Sequence, residues 1–176
     1  GGNSGDSTSD TENVVYQPGE AVMYNAGNGE KLYYIVTTND TTSATTVQMI
    51  ADEAVTTSTA SGAQTALNNY ANVYYNKSKV LTKRLPTMEE IAKLSGIAYD
   101  ANKDYSASSE QFTIAEWLIG SKAGTTTLTS TMKGSNYYIM INAGGSGTIT
   151  QATGSQSGGI RPVITVAKTN LEKYER

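Results

Sequence analysis

The chain has 176 residues, a formal net charge of −3 and 38% hydrophobic residues, which is enough for one packed domain. It contains no cysteine and no histidine, so disulfides, thiolate zinc sites, cysteine nucleophiles and a Ser-His-Asp triad are excluded. The basic residues are scattered along the chain, and we therefore expect no nucleic-acid-binding surface. The composition predicts a protein that is not an enzyme.

Residues 1–13 combine glycine, serine, threonine and acidic residues, a composition typical of a flexible linker. No apolar run approaches the roughly 20 residues of a membrane span, so no span is predicted. A linker at this position favours an anchor removed upstream, and the charge-poor, Ser/Thr-rich composition favours an extracellular or cell-surface location. We expect a single globular domain over residues 14–168, followed by a C-terminal tail at 169–176.

Short runs of β-branched and aromatic residues predict strands in the first third of the chain. Residues 21–25 and 31–38 form two such runs, and Asn28-Gly29 between them suits a type I′ hairpin turn. Val47 and Met49 alternate as the inward residues of a further strand. Three or four strands are therefore expected before the middle of the chain.

The apolar period then changes to that of a helix. Ala63, Leu67 and Tyr74 share one helical face, and Ser61 with Gln64 suggests a capping box at its start.

Two further helices follow from capping signals. Thr87 and Glu90 form a capping box, and Gly96 suits the residue that ends that helix. In the segment 113–120, Glu116 occupies the corresponding capping position of a short helix whose Trp117 is expected to pack inward.

The last third returns to strands, at residues 137–141 and 160–168. Strands, then helices, then strands predict an α+β fold: a mostly antiparallel sheet with two or three short helices. The N- and C-terminal strands are expected to be adjacent, since together they would complete one core.

Three segments carry a resemblance to known proteins: "TALNNYANVYYN" (65–76), "KRLPTMEEIAKLSG" (83–96) and "GGIRPVITVAK" (158–168). Together they resemble a bacterial domain of unknown function found on surface and secreted proteins. The "RLPT-EE" and "RPV" segments are also similar to those of formylglycine-generating enzymes and related C-type-lectin-like domains. The segments 121–135 and 143–159, rich in serine, threonine and glycine, depart from that pattern.

The resemblance implies a C-type-lectin-like α+β fold over about residues 20–168, with its terminal strands lying together. It does not imply catalysis. Formylglycine-generating enzymes depend on active-site cysteines, and this chain has none.

A calcium-loop pattern occurs in the middle of the chain. Asp100, Asn102 and Asp104 match a D-x-N-x-D opening, which places oxygen ligands at positions 1, 3 and 5. Tyr105 replaces the glycine of position 6, and Gln111 replaces the bidentate glutamate of position 12. Because these two constraining positions fail, a plain polar loop between two helices is the favoured interpretation, so we expect no cofactor and leave Ca²⁺ as the alternative.

A ligand-facing region is expected around residues 137–159, because exposed tyrosine with asparagine, serine and glycine forms adaptable binding surfaces. Alternation along a strand points one of the two adjacent tyrosines inward. The candidate residues are Tyr137, Tyr138, Asn142, Gln151 and Gln156.

Arg161 stands before Pro162 at the entrance of the last strand. Proline lacks an N–H and holds the residue before it extended, which fixes the arginine where it can bind a carboxylate or backbone carbonyls. We expect it to close the fold rather than bind ligand, and Arg84 to pair with a glutamate. The candidate partners are Glu89, Glu90 and Glu116.

Two functions are compatible with these features. The first is a non-enzymatic surface module for adhesion or recognition, with a glycan or protein ligand. The alternative is the globular domain of a pilin-like or filament-forming subunit, whose partner is a second copy of itself.

Overall fold

A computed structural model describes residues 14–172, in which ten strands and two helices form an α+β fold. The strands are β1 (Ala21–Asn25), β2 (Glu30–Ile35), β3 (Thr46–Ala51), β4 (Thr56–Thr59), β5 (Thr82–Arg84), β6 (Thr126–Lys133), β7 (Asn136–Asn142), β8 (Gly147–Ala152), β9 (Ser157–Ile160) and β10 (Val163–Ala167). The helices are α1 (Ala63–Tyr74) and α2 (Met88–Leu94), with 3₁₀ turns at Glu116–Ile119 and Lys168–Asn170.

The strands form two five-stranded sheets rather than one. The first has the order β1-β2-β3-β10-β5 and is antiparallel throughout, while the second has the order β4-β9-β6-β7-β8. In the second sheet only the contact of Thr127 in β6 with Gly159 in β9 is parallel. The predicted α+β class, with mostly antiparallel strands and short helices, is confirmed.

The expected adjacency of the N- and C-terminal strands is not confirmed. β1 and β10 belong to the same sheet, but β2 and β3 lie between them. Consecutive antiparallel pairs occupy both sides of β2, so β10 pairs with the free side of β3, with Val163 opposite Ile50.

The first hairpin pairs as predicted but turns differently. Asn25 lies opposite Glu30, so four residues form the loop instead of a two-residue turn at Asn28-Gly29. The Asn25 side-chain oxygen accepts the N–H groups of Gly27 and Gly29, at 2.9 and 3.1 Å. Both glycines have positive φ, a conformation that glycine adopts without strain.

One of the first two capping predictions is confirmed. In α2, the Thr87 hydroxyl accepts the Glu90 N–H while the Glu90 carboxylate accepts the Thr87 N–H, and Gly96 follows at positive φ. The box predicted at Ser61 is wrong, because α1 begins after Gly62 without a side-chain cap. The Ser61 hydroxyl instead donates to the Gly154 carbonyl, which lies beside β8.

The third predicted helix is a single 3₁₀ turn, Glu116–Ile119, with no side-chain cap at its start. Glu116 is therefore not a capping residue, and its side chain is exposed. Trp117 packs partly against the core, as expected for an inward residue. Within residues 14–172, no helix has the length and apolar character needed to cross a membrane.

The packed part of the chain extends beyond residue 168. Leu171 is buried with Tyr24 and Val166 against the first sheet, so the expected tail contributes to the core. The predicted linker at 1–13 and residues 173–176 lie outside the described residues.

A buried ion pair joins the two ends of the described chain. Lys168 is 1% exposed, and its ammonium lies 2.9 Å from the Asp40 carboxylate. The same ammonium donates to the carbonyls of Val14 and Thr41, each at 3.0 Å. The other Asp40 oxygen accepts the Tyr16 N–H at 2.8 Å. All three ammonium protons therefore have acceptors.

Candidate functional site

Arg161 lies where the chain passes from β9 in the second sheet to β10 in the first. Its side chain is 3% exposed, and Nε donates to the Ala51 carbonyl at 2.9 Å. Nη1 donates to the Leu118 carbonyl at 2.9 Å and to the Thr127 hydroxyl at 3.1 Å. The guanidinium thus links the first sheet and the 3₁₀ turn through backbone carbonyls, one of the two expected modes of binding, and reaches the second sheet through the Thr127 hydroxyl.

The three glutamates proposed as partners of Arg161 are engaged elsewhere or exposed. Glu90 forms an ion pair with Arg84 at 2.8 Å, the kind of pair expected for that arginine. Glu89 pairs with Lys93 at 3.0 Å on the surface of α2.

The charge of Arg161 is compensated only at a distance. Burial lowers the pKa of Arg161 to about 10. Electrostatic interaction with Asp52, and to a smaller extent with Tyr34, raises the pKa and so opposes this effect. Asp52 is buried, and its two oxygens accept the backbone N–H and the hydroxyl of Ser121. Among the described residues, the Arg161 Nη2 has no hydrogen-bond partner, and it is shielded from solvent.

A polar cleft of about 490 Å³ lies beside this arginine; we name it the arginine cleft. Its lining residues are Asp52, Glu53, Ala54, Val55, Thr56, Thr57, Lys122, Thr125, Thr126, Ser157, Gly158, Gly159 and Arg161. Among these described residues, two acidic and two basic side chains balance in charge, and there is no aromatic ring.

A second cleft of about 500 Å³ is lined by the 3₁₀ turn at Glu116–Ile119, by the residues that follow it, and by parts of β2 and of the end of β7; we name it the tryptophan cleft. Its lining residues are Tyr34, Glu116, Trp117, Ile119, Gly120, Ser121, Ala123, Asn142, Gly144 and Gly145. The rings of Tyr34 and Trp117 are half-buried, with centroids 5.9 Å apart and planes inclined at 46°. Burial, followed by the negative charge of Asp52, raises the pKa of Tyr34, so its hydroxyl is neutral near pH 7.

Gly120 allows the wall between the two clefts to form. Its φ is +83°, and a Cβ there would lie 2.7 Å from the Asp52 carbonyl oxygen and 3.2 Å from the Arg161 Cζ. A side chain at this position would therefore separate the 3₁₀ turn from the buried arginine.

Two of the predicted ligand-facing residues are buried and serve the fold. The Tyr138 hydroxyl accepts the Tyr105 N–H at 3.3 Å and donates to the Lys103 carbonyl at 3.2 Å. The Asn142 amide donates to the Gly120 carbonyl at 2.8 Å, and its oxygen accepts the Gly144 N–H at 2.8 Å. The prediction that Tyr138 and Asn142 present polar atoms to a ligand is therefore corrected.

The other three candidates do not converge on one surface. Tyr137 is half-buried and packs against the core between α1 and the second sheet. The Gln151 amide donates to Asp104 at 2.9 Å, and the exposed Gln156 accepts the Thr153 N–H at 2.7 Å within a tight turn.

The predicted calcium-loop residues form local turns. An Asp100 oxygen accepts the Asn102 N–H at 2.9 Å, and an Asp104 oxygen accepts the Ser106 N–H at 3.0 Å. The Ser106 hydroxyl, then its N–H, lower the pKa of Asp104. No group of three His, Cys, Asp or Glu residues within 14–172 is placed to hold a metal ion. Calcium binding by Asp100, Asn102 and Asp104 stays an untested alternative.

Comparison of the chain with known protein families, with curated proteins and with solved structures finds no significant match.

Proposed function

We propose that this protein is a non-enzymatic extracellular module that recognises a glycan or protein ligand in the tryptophan cleft. The observation that carries the proposal is the pair of half-buried rings, Tyr34 and Trp117, in one wall of a cleft of about 500 Å³. Aromatic rings supply a large contact area with few rotatable bonds, which is why they dominate recognition surfaces.

Binding is favoured over catalysis because the cleft offers few groups for proton transfer. General acid–base chemistry needs titratable groups whose pKa values suit proton transfer near the working pH. Within residues 14–172, Glu116 is the one carboxyl that lines the cleft, and the raised pKa of Tyr34 makes its hydroxyl a poor base. The extracellular location rests on the low charge and on the resemblance to surface domains.

The single tryptophan of the chain gives a direct test, since Trp117 is itself part of the site. Panels of soluble oligosaccharides and of peptides are titrated while tryptophan emission is followed. A ligand of the cleft shifts or quenches the emission, and Tyr34→Ala weakens its binding ~10-fold by removing one aromatic contact.

The matched control is Tyr74→Ala, which removes an exposed tyrosine of α1 that lines neither cleft. Affinity is expected to be unchanged in this variant. A ligand that binds without altering Trp117 emission, and with equal affinity for Tyr34→Ala, places recognition elsewhere and contradicts the proposed site.

A further inference from the structure

Of the described residues that line the tryptophan cleft, one carries a formal charge, and it is negative. Glu116 is exposed in its wall, and no lysine or arginine is among its lining residues. Lys122 belongs to the same loop but lines the arginine cleft. The guanidinium of Arg161 is buried and lies next to Gly120. The negative charge of Asp52 opposes the effect of this guanidinium on the pKa of Tyr34.

The amide of Asn142 and the donors of Ser121, which could otherwise bind an anion or a sugar oxygen, are already used by the fold. The Asn142 amide donates to the carbonyls of Ile119 and Gly120, at 3.3 and 2.8 Å. The Ser121 hydroxyl and N–H both donate to Asp52. Apart from the Trp117 indole N–H, the side chains of the cleft therefore offer mainly acceptors and aromatic faces, which suit a ligand that brings donors.

The two rings suit a positively charged group. Aromatic faces carry negative electrostatic potential and attract a cation within about 6 Å of the ring centroid. The centroids of Tyr34 and Trp117 are 5.9 Å apart, so one group can lie within that range of both. A nearby carboxylate adds a second attraction for the same charge.

We propose that the group recognised in the tryptophan cleft is an organic cation, an ammonium or guanidinium. It can come from a basic side chain of a protein partner or from a quaternary ammonium group. The inference rests on the proposed function and specifies the chemistry of its ligand.

Choline and its uncharged isostere 3,3-dimethyl-1-butanol provide the sharpest pair of probes, with Nα-acetyl-lysine amide, Nα-acetyl-arginine amide and methyl β-glucoside beside them. Each is titrated into the full chain at constant ionic strength while Trp117 emission is followed. A cation should give a saturable change in the millimolar range, with the isostere at least about fivefold weaker. The relative affinities of choline and the two amino-acid amides identify the source of the cation.

Glu116→Gln should weaken cation binding by about three- to fivefold, whereas Glu89→Gln, an exposed glutamate of α2, should leave it unchanged. Equal binding of choline and its isostere, or no response to any cation, overturns the inference. A saturable response to methyl β-glucoside alone overturns it too, while the proposed recognition at this cleft then stands. Binding of methyl β-glucoside at the tryptophan cleft is recognised by loss of its response in Tyr34→Ala but not in Tyr74→Ala.

Discussion

Replacing Lys168 by methionine is expected to lower the free energy of unfolding by about 3–5 kcal/mol, because it strands a buried carboxylate. Asp40 is paired with Lys168 at 2.9 Å in a site where both side chains are almost fully shielded from water. Methionine replaces the aliphatic stem of lysine but supplies no donor for Asp40 or for the carbonyls of Val14 and Thr41. Urea denaturation followed by circular dichroism measures the loss.

A double-mutant cycle measures the interaction energy between Lys168 and Asp40 separately from their other contacts. Asp40→Asn alone leaves an ammonium without its counter-ion, whereas Lys168→Met combined with Asp40→Asn removes both charges. The double variant should therefore lose less free energy of unfolding than the sum of the losses of the two single variants. The matched control is Lys93→Met, whose pair with Glu89 is more than half exposed and should change stability by about 1 kcal/mol or less. If Lys168→Met and Lys93→Met are equally stable, the buried pair does not hold the ends of the described chain.

Local signals in the sequence predicted the elements whose cause is itself local. Predicting the capping box of Thr87 and Glu90, and the end of the helix at Gly96, needs no information from outside the segment. The structure contains both features. The strand periodicity around Val47 and Met49 likewise sufficed for β3, since both residues are buried in one face of the first sheet.

Pairing across long sequence distances could not be read in the same way. Ser61 has the right type for a cap, yet its hydroxyl binds the Gly154 carbonyl because β4 and β9 bring the two turns together. The strand order β3-β10-β5 depends on which strand edge remains free after the first hairpin forms, a property of the assembled sheet.

The candidate site shows the same limit. The sequence predicts that Trp117 packs inward, but nothing in its own segment indicates that Tyr34 of β2 lies beside it. Asn142 and Tyr138 have side chains typical of binding surfaces, and only the packed structure shows that their polar atoms are used internally. The single tryptophan of the chain, Trp117, is the one local feature of the sequence that marks this cleft.

Arg161→Met is expected to lower the free energy of unfolding by about 3–5 kcal/mol, because three buried acceptors lose their donor together. These acceptors are the carbonyls of Ala51 and Leu118 and the hydroxyl of Thr127, and an unsatisfied buried polar group costs about 1–3 kcal/mol. Arg161→Lys should be intermediate, since an ammonium keeps the charge but not the planar fork. Urea denaturation of both variants and the unmodified protein gives their free energies of unfolding and so tests this order of stability.

Arg84→Met is the control for this substitution. Arg84 is also bonded by its fork, to Glu90 and Gln48, but its side chain is 36% exposed, so water replaces the lost bonds and about 1 kcal/mol is expected. A loss at Arg161 well above that at Arg84 identifies the buried arginine as the connection between the sheets. If Arg161→Met is instead as stable as Arg84→Met, its bonds contribute little to folding, and the unpartnered Nη2 beside the arginine cleft becomes a reason to test ligand binding there.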